Sequence, residues 1–211
     1  MNKVYEIYDI LLGYFGPQGW WPGDSPFEIM VGAVLTQNTN WTNVSRAIDN
    51  LKKDSLLSFE MLHGLPVEIL AQKIQPAGYF NLKAARLKNL LNFIAREYVG
   101  SLDKLFAVDM HTLREQIMTV KGIGPETADS ILLYAGNKPV FVVDAYTHRI
   151  FARHNIIAEE DGYYEIQEFF ALSLPEDVEL FNQYHALIVK LGKEFCKKSK
   201  PLCSGCPLEK F

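Results

Sequence analysis

The sequence predicts an all-α protein, and three observations carry that expectation. Apolar residues recur at spacings of three and four in one segment after another from Val4 to Leu191, the mark of helices that bury one face. The one convincing strand-like run, Val140-Phe141-Val142-Val143, is too short and isolated to build a sheet. Neither a repeat of solenoid period nor a low-complexity linker interrupts the chain, so short connections between packed helices are expected.

Taken in order, a first amphipathic pattern covers residues 4–14. The next start is the best marked: Ser25-Pro26-Phe27-Glu28 has the form of a capping box with proline at the first helical position, and Phe27, Met30, Val31, Val34 and Leu35 follow as one stripe. Helical patterns continue over 44–52, 67–73 and 81–98. Two more, 111–120 and 126–134, flank Lys121-Gly122-Ile123-Gly124. After the strand-like run, helices are expected over 144–154, 163–172 and 175–191.

Composition narrows the class. With 211 residues, 48% of them apolar, 12% aromatic and 22% charged, the chain is neither disordered, collagenous nor a coiled coil, and it suffices for one domain or two small ones. The net charge of −4 hides segregation. Residues 158–180 hold Glu159, Glu160, Asp161, Glu165, Glu168, Glu176, Asp177 and Glu179 without a single Lys or Arg, leaving a mildly basic remainder. Lys83, Arg86, Lys88 and Arg96 form one basic stretch, and Lys190, Lys193, Lys197, Lys198 and Lys200 another; such patches bind phosphates or simply solvate helix faces. The three cysteines do not suit a disulfide framework and fit a reducing cytoplasm. No apolar run approaches the roughly 18 residues of a membrane span, and Glu6 and Asp9 interrupt the segment where a signal peptide would be apolar. A cytoplasmic, membrane-free protein is expected, nucleoid-associated if the cell is prokaryotic.

The most informative stretch is the glycine turn. Gly122 and Gly124 around Ile123 make a tight reversal whose backbone can approach another molecule, with Ile123 plugging the gap between the helices and Pro125 opening the second one. Amides at that helix's N-terminus favour a phosphate. A lone G-x-G would serve any helix hairpin, but here Gly136, Pro139 and Asp144 follow at a fixed distance.

The whole run, KGIGPETADSILLYAGNKPVFVVDAYTHRI, resembles the helix-hairpin-helix and glycine/proline-Asp region of the endonuclease III superfamily of DNA base-excision glycosylases. The terminal cysteines and the segment around Gln37 fall where that family has them, so the resemblance extends over nearly the whole chain. It implies a six-helix domain over residues 26–137 containing the hairpin, a second helical domain from 1–25 with 138–211, an active site in the cleft between them, and damaged double-stranded DNA bound by a monomer. Lys121, Gly122, Ile123, Gly124 and Thr127 would meet the DNA, and Gln37 matches the polar residue that fills the space vacated by a flipped base.

The resemblance also assigns the chemistry. The essential Asp of the family maps to Asp144. Cleaving an N-glycosidic bond builds positive charge on the sugar, which a fixed carboxylate can stabilise, or it can orient and deprotonate the attacking water. Bifunctional members carry a lysine near the start of the second hairpin helix; here that place is taken by Glu126, which cannot form an imine. A monofunctional glycosylase is therefore expected, with Glu126 orienting a base edge or a water. Gly19-Trp20-Trp21-Pro22 and Leu35-Thr36-Gln37-Asn38-Thr39-Asn40-Trp41 resemble the endonuclease-III-like 3-methyladenine glycosylases, which implies a base pocket of Trp20, Trp21, Pro22 and Trp41. Electron-rich rings attract the cationic 3-methyladenine beyond simple burial. The other readings are a glycosylase and abasic-site lyase for oxidised pyrimidines, and a non-catalytic DNA-binding module.

Cys196, Cys203 and Cys206 have the spacing C-x6-C-x2-C. In the superfamily this continues to a fourth cysteine, which would stand at position 212, and the four hold a 4Fe-4S cluster. With three cysteines, either the chain is clipped, another group completes the site or the cluster is lost; the resemblance favours a 4Fe-4S cluster that is structural and DNA-positioning, with zinc as the alternative metal.

Overall fold

The computed structural model describes residues 2–20 and 23–211. All regular elements among them are helical, without a strand. The chain divides into two compact units, residues 23–136 and residues 1–22 with 137–211. The terminal unit begins with α1 (Lys3–Phe15). The inner unit runs α2 (Pro26–Leu35), α3 (Trp41–Lys53), α4 (Phe59–Gly64), α5 (Val67–Lys73), α6 (Phe80–Tyr98), α7 (Leu102–Phe106), α8 (Met110–Met118) and α9 (Pro125–Ser130), which continues into a π-turn, Ile131–Ala135. The chain then re-enters the terminal unit as α10 (Ala145–Arg153), α11 (Tyr163–Ser173) and α12 (Val178–Glu194).

In the inner unit α2 is the central helix. Ser25 Oγ accepts the Glu28 amide at 3.2 Å, but the Glu28 carboxylate accepts from Asp24 N at 3.1 Å and pairs with Lys52 at 2.7 Å, one residue further back than a simple capping box. The expected single buried stripe proves too narrow: α2 is buried from Phe27 to Leu35 except at Ile29, because α3, α6, α9 and the π-turn all pack on it. The short helices α4 and α7 escaped the sequence reading; each is begun by a serine cap, Ser58 and Ser101, rather than by a repeating stripe. The hairpin helices α8 and α9 are clamped by a bidentate pair, Arg114 Nε and Nη2 donating to the two Asp129 oxygens at 2.6 and 2.9 Å, with Asp129 fully buried.

The first basic stretch is not one surface patch: Arg96 is exposed, but Lys83, Arg86 and Lys88 are buried or half-buried. Lys83 is 1% exposed and donates to the carbonyls of Leu35 (2.8 Å) and Ala77 (2.7 Å). Lys88 closes the C-terminal end of α4 by donating to Leu62, His63 and Leu65 carbonyls. Burial, with the nearby Arg86 charge, pulls the Lys83 pKa down to about 8. The folded chain then releases this proton near pH 8 while the unfolded lysine holds it to about 10.5, so stability rises with pH across that window, by on the order of 3 kcal/mol at 1.36 kcal/mol per unit. Urea unfolding of wild type and Lys83→Met at pH 7.5 and 10 should give a larger gain for wild type; equal gains contradict it.

In the terminal unit residues 140–143 are buried but form no ladder. The Phe141 carbonyl is taken instead by Gln167 Nε2 at 2.7 Å, and its ring stacks on Phe170 with centroids 4.1 Å apart. The segment is thus a core rod delivering the chain to Asp144. Tyr184 on α12 joins this aromatic core and donates to the Val4 carbonyl at 2.6 Å, tying α12 to α1. Helix α12 starts later than position 175 because Asp177 caps it, accepting the Leu180 amide at 2.7 Å.

Candidate active site

Asp144 is the N-cap of α10, and its two oxygens do different things. Oδ1 accepts from Tyr146 N (2.9 Å), Thr147 N (2.8 Å) and Thr147 Oγ1 (3.0 Å). Oδ2 faces His185 Nε2 of α12 at 3.5 Å. The cap fixes the carboxylate's orientation and leaves Oδ2 outside the helix-end bonds. Burial resists ionisation, but the His185 imidazole and the Thr147 donors outweigh it and hold the carboxyl below its ordinary value. The group is a carboxylate with 12% of its side chain exposed. Helices α10 and α12 approach closely here, since a Cβ on Gly192 would lie 2.1 Å from the Tyr146 ring.

In the inner unit the structure brings Gln37, Gly122 and Thr127 together. Gly122 has φ +96°, a conformation that favours glycine, and Ile123 is buried beneath the turn. Lys121, Gly122, Gly124 and Glu126 are exposed. Gln37 Nε2 donates to Gly122 O at 3.1 Å and to Thr127 Oγ1 at 2.9 Å, and Gln37 Oε1 accepts from Arg86 Nη1 at 2.6 Å. Thr127 is buried, so its hydroxyl serves Gln37.

Trp41 is half-buried at the first position of α3, whose cap is Asn40. Trp20 is half-buried in the terminal unit, with Lys193 Nζ 5.9 Å from its ring centre. Trp21 and Pro22 lie outside the described residues. Two residues escaped the sequence reading. His185 sits among apolar neighbours on α12, a pattern that reads as core. Tyr79 is 71% exposed with φ +45°, a costly backbone state for a bulky residue. Lys83 binds the carbonyls of Leu35 and Ala77 together, which ties the backbone just before Tyr79 to the end of α2. The only sequence signal of Tyr79 was the preceding Gly78.

The cysteine loop is held by α10. Arg149 donates to the Cys196 carbonyl (2.9 Å), and Arg153 to Cys196 Sγ (3.3 Å) and to the carbonyls of Lys197 and Lys198 (both 2.8 Å). Burial pushes the Cys206 thiol up, and the Cys196 and Cys203 sulfurs are near enough to add to this. Among the described residues no three or more His, Cys, Asp or Glu side chains are gathered as a metal site. By donor chemistry alone, Cys196, Cys203 and Cys206 are thiols of the kind that ligate iron–sulfur clusters.

Residues 31–176, which include the hairpin with its left-handed glycine and the capped, ionised Asp144, match the profile of the HhH-GPD superfamily base excision DNA repair proteins. The chain belongs to this superfamily. It is a base-excision DNA glycosylase. A Methanocaldococcus jannaschii protein, provisionally named a DNA repair glycosylase, is 49% identical over all of this glycosylase and 96% of its own length. Endonuclease III of Thermotoga maritima is 28% identical over 87% of this chain and 81% of its own. Among solved structures, H. pylori 3-methyladenine DNA glycosylase bound to 1,N6-ethenoadenine superposes with a TM-score of 0.80 at 30% identity, covering 90% of this chain and 97% of the other. An endonuclease III–DNA complex reaches 0.84 at 22% identity over 99% and 92%, a likeness of fold. No helix among the described residues is long and apolar enough to cross a membrane.

Proposed function

We propose that this glycosylase is monofunctional and removes alkylated purines, 3-methyladenine first among them, from double-stranded DNA, acting as a cytoplasmic monomer. Two observations, one in each unit, carry the reading: an ionised, oriented Asp144 at the head of α10, and an exposed Glu126, in place of an amine, at the second residue of α9. Asp144 Oδ2 stabilises the charge growing on the sugar, or takes the proton of the attacking water as the base leaves with the bonding electrons. A 3-methylated adenine is already cationic and departs neutral, so no general acid is required. Glu126 orients a base edge or water.

The hairpin of Lys121, Gly122, Ile123 and Gly124 holds the phosphodiester, Thr127 acts through Gln37, and Gln37 fills the gap left by the extruded nucleotide. The exposed Tyr79 ring offers a further stacking surface. Trp20, Trp21, Pro22 and Trp41 receive the base. The likeness to the H. pylori enzyme over 97% of its chain supports this choice of lesion. Cys196, Cys203 and Cys206 hold a 4Fe-4S cluster that organises the loop and its lysines toward DNA; no chemical step passes through it. About four irons and four sulfides per chain are expected; an iron-free protein with bound zinc would remove the cluster from the account.

Borohydride trapping tests the monofunctional claim. Incubation with lesion-bearing duplex and borohydride should leave no covalent complex, since no amine attacks the sugar; a stable protein–DNA adduct contradicts it. In parallel, methylated DNA should release free 3-methyladenine by chromatography.

A further inference from the structure

Helix α6 holds the Gln37 turn and the glycine hairpin of the inner unit through one face. Lys83, Arg86 and Asn89, three residues apart, hold in turn the carbonyls of Leu35 and Ala77, the Gln37 side chain, and the Lys121 carbonyl at 2.9 Å. Arg86 touches both functional parts. Its Nη1 donates to Gln37 Oε1 at 2.6 Å. Its aliphatic stem lies against the glycine of the hairpin, so closely that a Cβ on Gly122 would be 2.4 Å from Arg86 Cγ. Gln37 in turn reaches back to the Gly122 carbonyl, closing a ring of contacts through Arg86, Gln37 and Gly122. A half-buried guanidinium with one long stem and a planar fork suits such a bridge, which a shorter or neutral side chain cannot span.

We infer that Arg86 is a positioning residue that couples the phosphate-holding hairpin to the intruding Gln37, so that seating of the hairpin and filling of the duplex gap occur as one event. This rests on the reading of Gln37 as the intruding side chain. A guanidinium beside the hairpin could instead bind a phosphate directly, and the two roles leave different signatures. A direct contact contributes to the salt dependence of binding and acts independently of Gln37. A coupling residue acts through Gln37, so the effects of removing each do not add.

The test is a double-mutant cycle with the full chain on a duplex that carries a tetrahydrofuran abasic analogue opposite 2-aminopurine. Fluorescence reports unstacking at the gap, and a salt titration reports phosphate contacts. Arg86→Met keeps the stem over Gly122 and removes the fork; Arg86→Gln serves the same purpose if the first variant does not fold. The expected result is a loss of about tenfold in the equilibrium for gap filling on Arg86→Met, an unchanged salt slope, and no further loss when Arg86→Met is added to Gln37→Ala. Additive losses, or a salt slope reduced by about one, overturn the coupling role. If Gln37→Ala alone leaves the fluorescence unchanged, the reading of Gln37 falls. If it lowers the fluorescence while Arg86→Met does not, only the coupling falls.

Discussion

Asp144→Asn should lower release of 3-methyladenine by about 10²–10⁴-fold, the range for loss of a positioned proton-transfer group, with binding to a lesion-bearing duplex nearly unchanged. The substitution is conservative in structure. An asparagine Oδ1 can still accept the Tyr146 and Thr147 donors that now hold Asp144, so α10 keeps its cap. What is lost is the negative charge on the second oxygen. Near-normal base release with full binding would mean that Asp144 is only a cap. Because the folded carboxyl titrates below its ordinary value, wild-type activity should persist down to and below the usual carboxylate range and fail only in stronger acid. The same shift has a stability consequence. Its contribution is present above the unfolded carboxylate pKa and lost as pH falls through the folded one.

The largest effect on stability should come from Arg114→Met. Asp129 is fully buried, and the bidentate guanidinium of Arg114 neutralises it across the two hairpin helices. Removing the cation leaves a buried charge with its neutralising partner gone, at a cost of about 3–5 kcal/mol. For a chain of this size, that is a fall in Tm of roughly 6–20 °C. Affinity for undamaged duplex should fall with it, since α8 and α9 carry the turn. A Tm within 2 °C of wild type, measured by calorimetry, would show that the pair does not hold the hairpin.

Legibility in the sequence followed the range of the interactions. Local signals were readable: Ser25 as a cap, the helical pattern on α3, the glycine turn, and Ile123 beneath it are decided within a few residues. Helices α4 and α7 were not, because six and five residues are too few for a helical period to register. The face of α2 was underestimated because burial on every side is set by helices distant in sequence. Lysines 83 and 88 were indistinguishable from solvated ones, since only the fold supplies the carbonyls they meet. His185 gave no signal and Arg86 only that of a basic stretch, for the same reason: each acquires its significance from a partner more than 40 residues away. The motifs thus marked the candidate site, while the groups packed around it emerged only from the fold.

The central claim, base removal without strand scission, is tested most directly with end-labelled duplexes bearing 3-methyladenine, 7-methylguanine, thymine glycol or a bare abasic site, each resolved with and without alkali after incubation with the enzyme. The account predicts cleavage of the 3-methyladenine strand only after alkali, with thymine glycol untouched and the abasic strand uncut by the protein. Strand cleavage without alkali, or preference for thymine glycol, would contradict it.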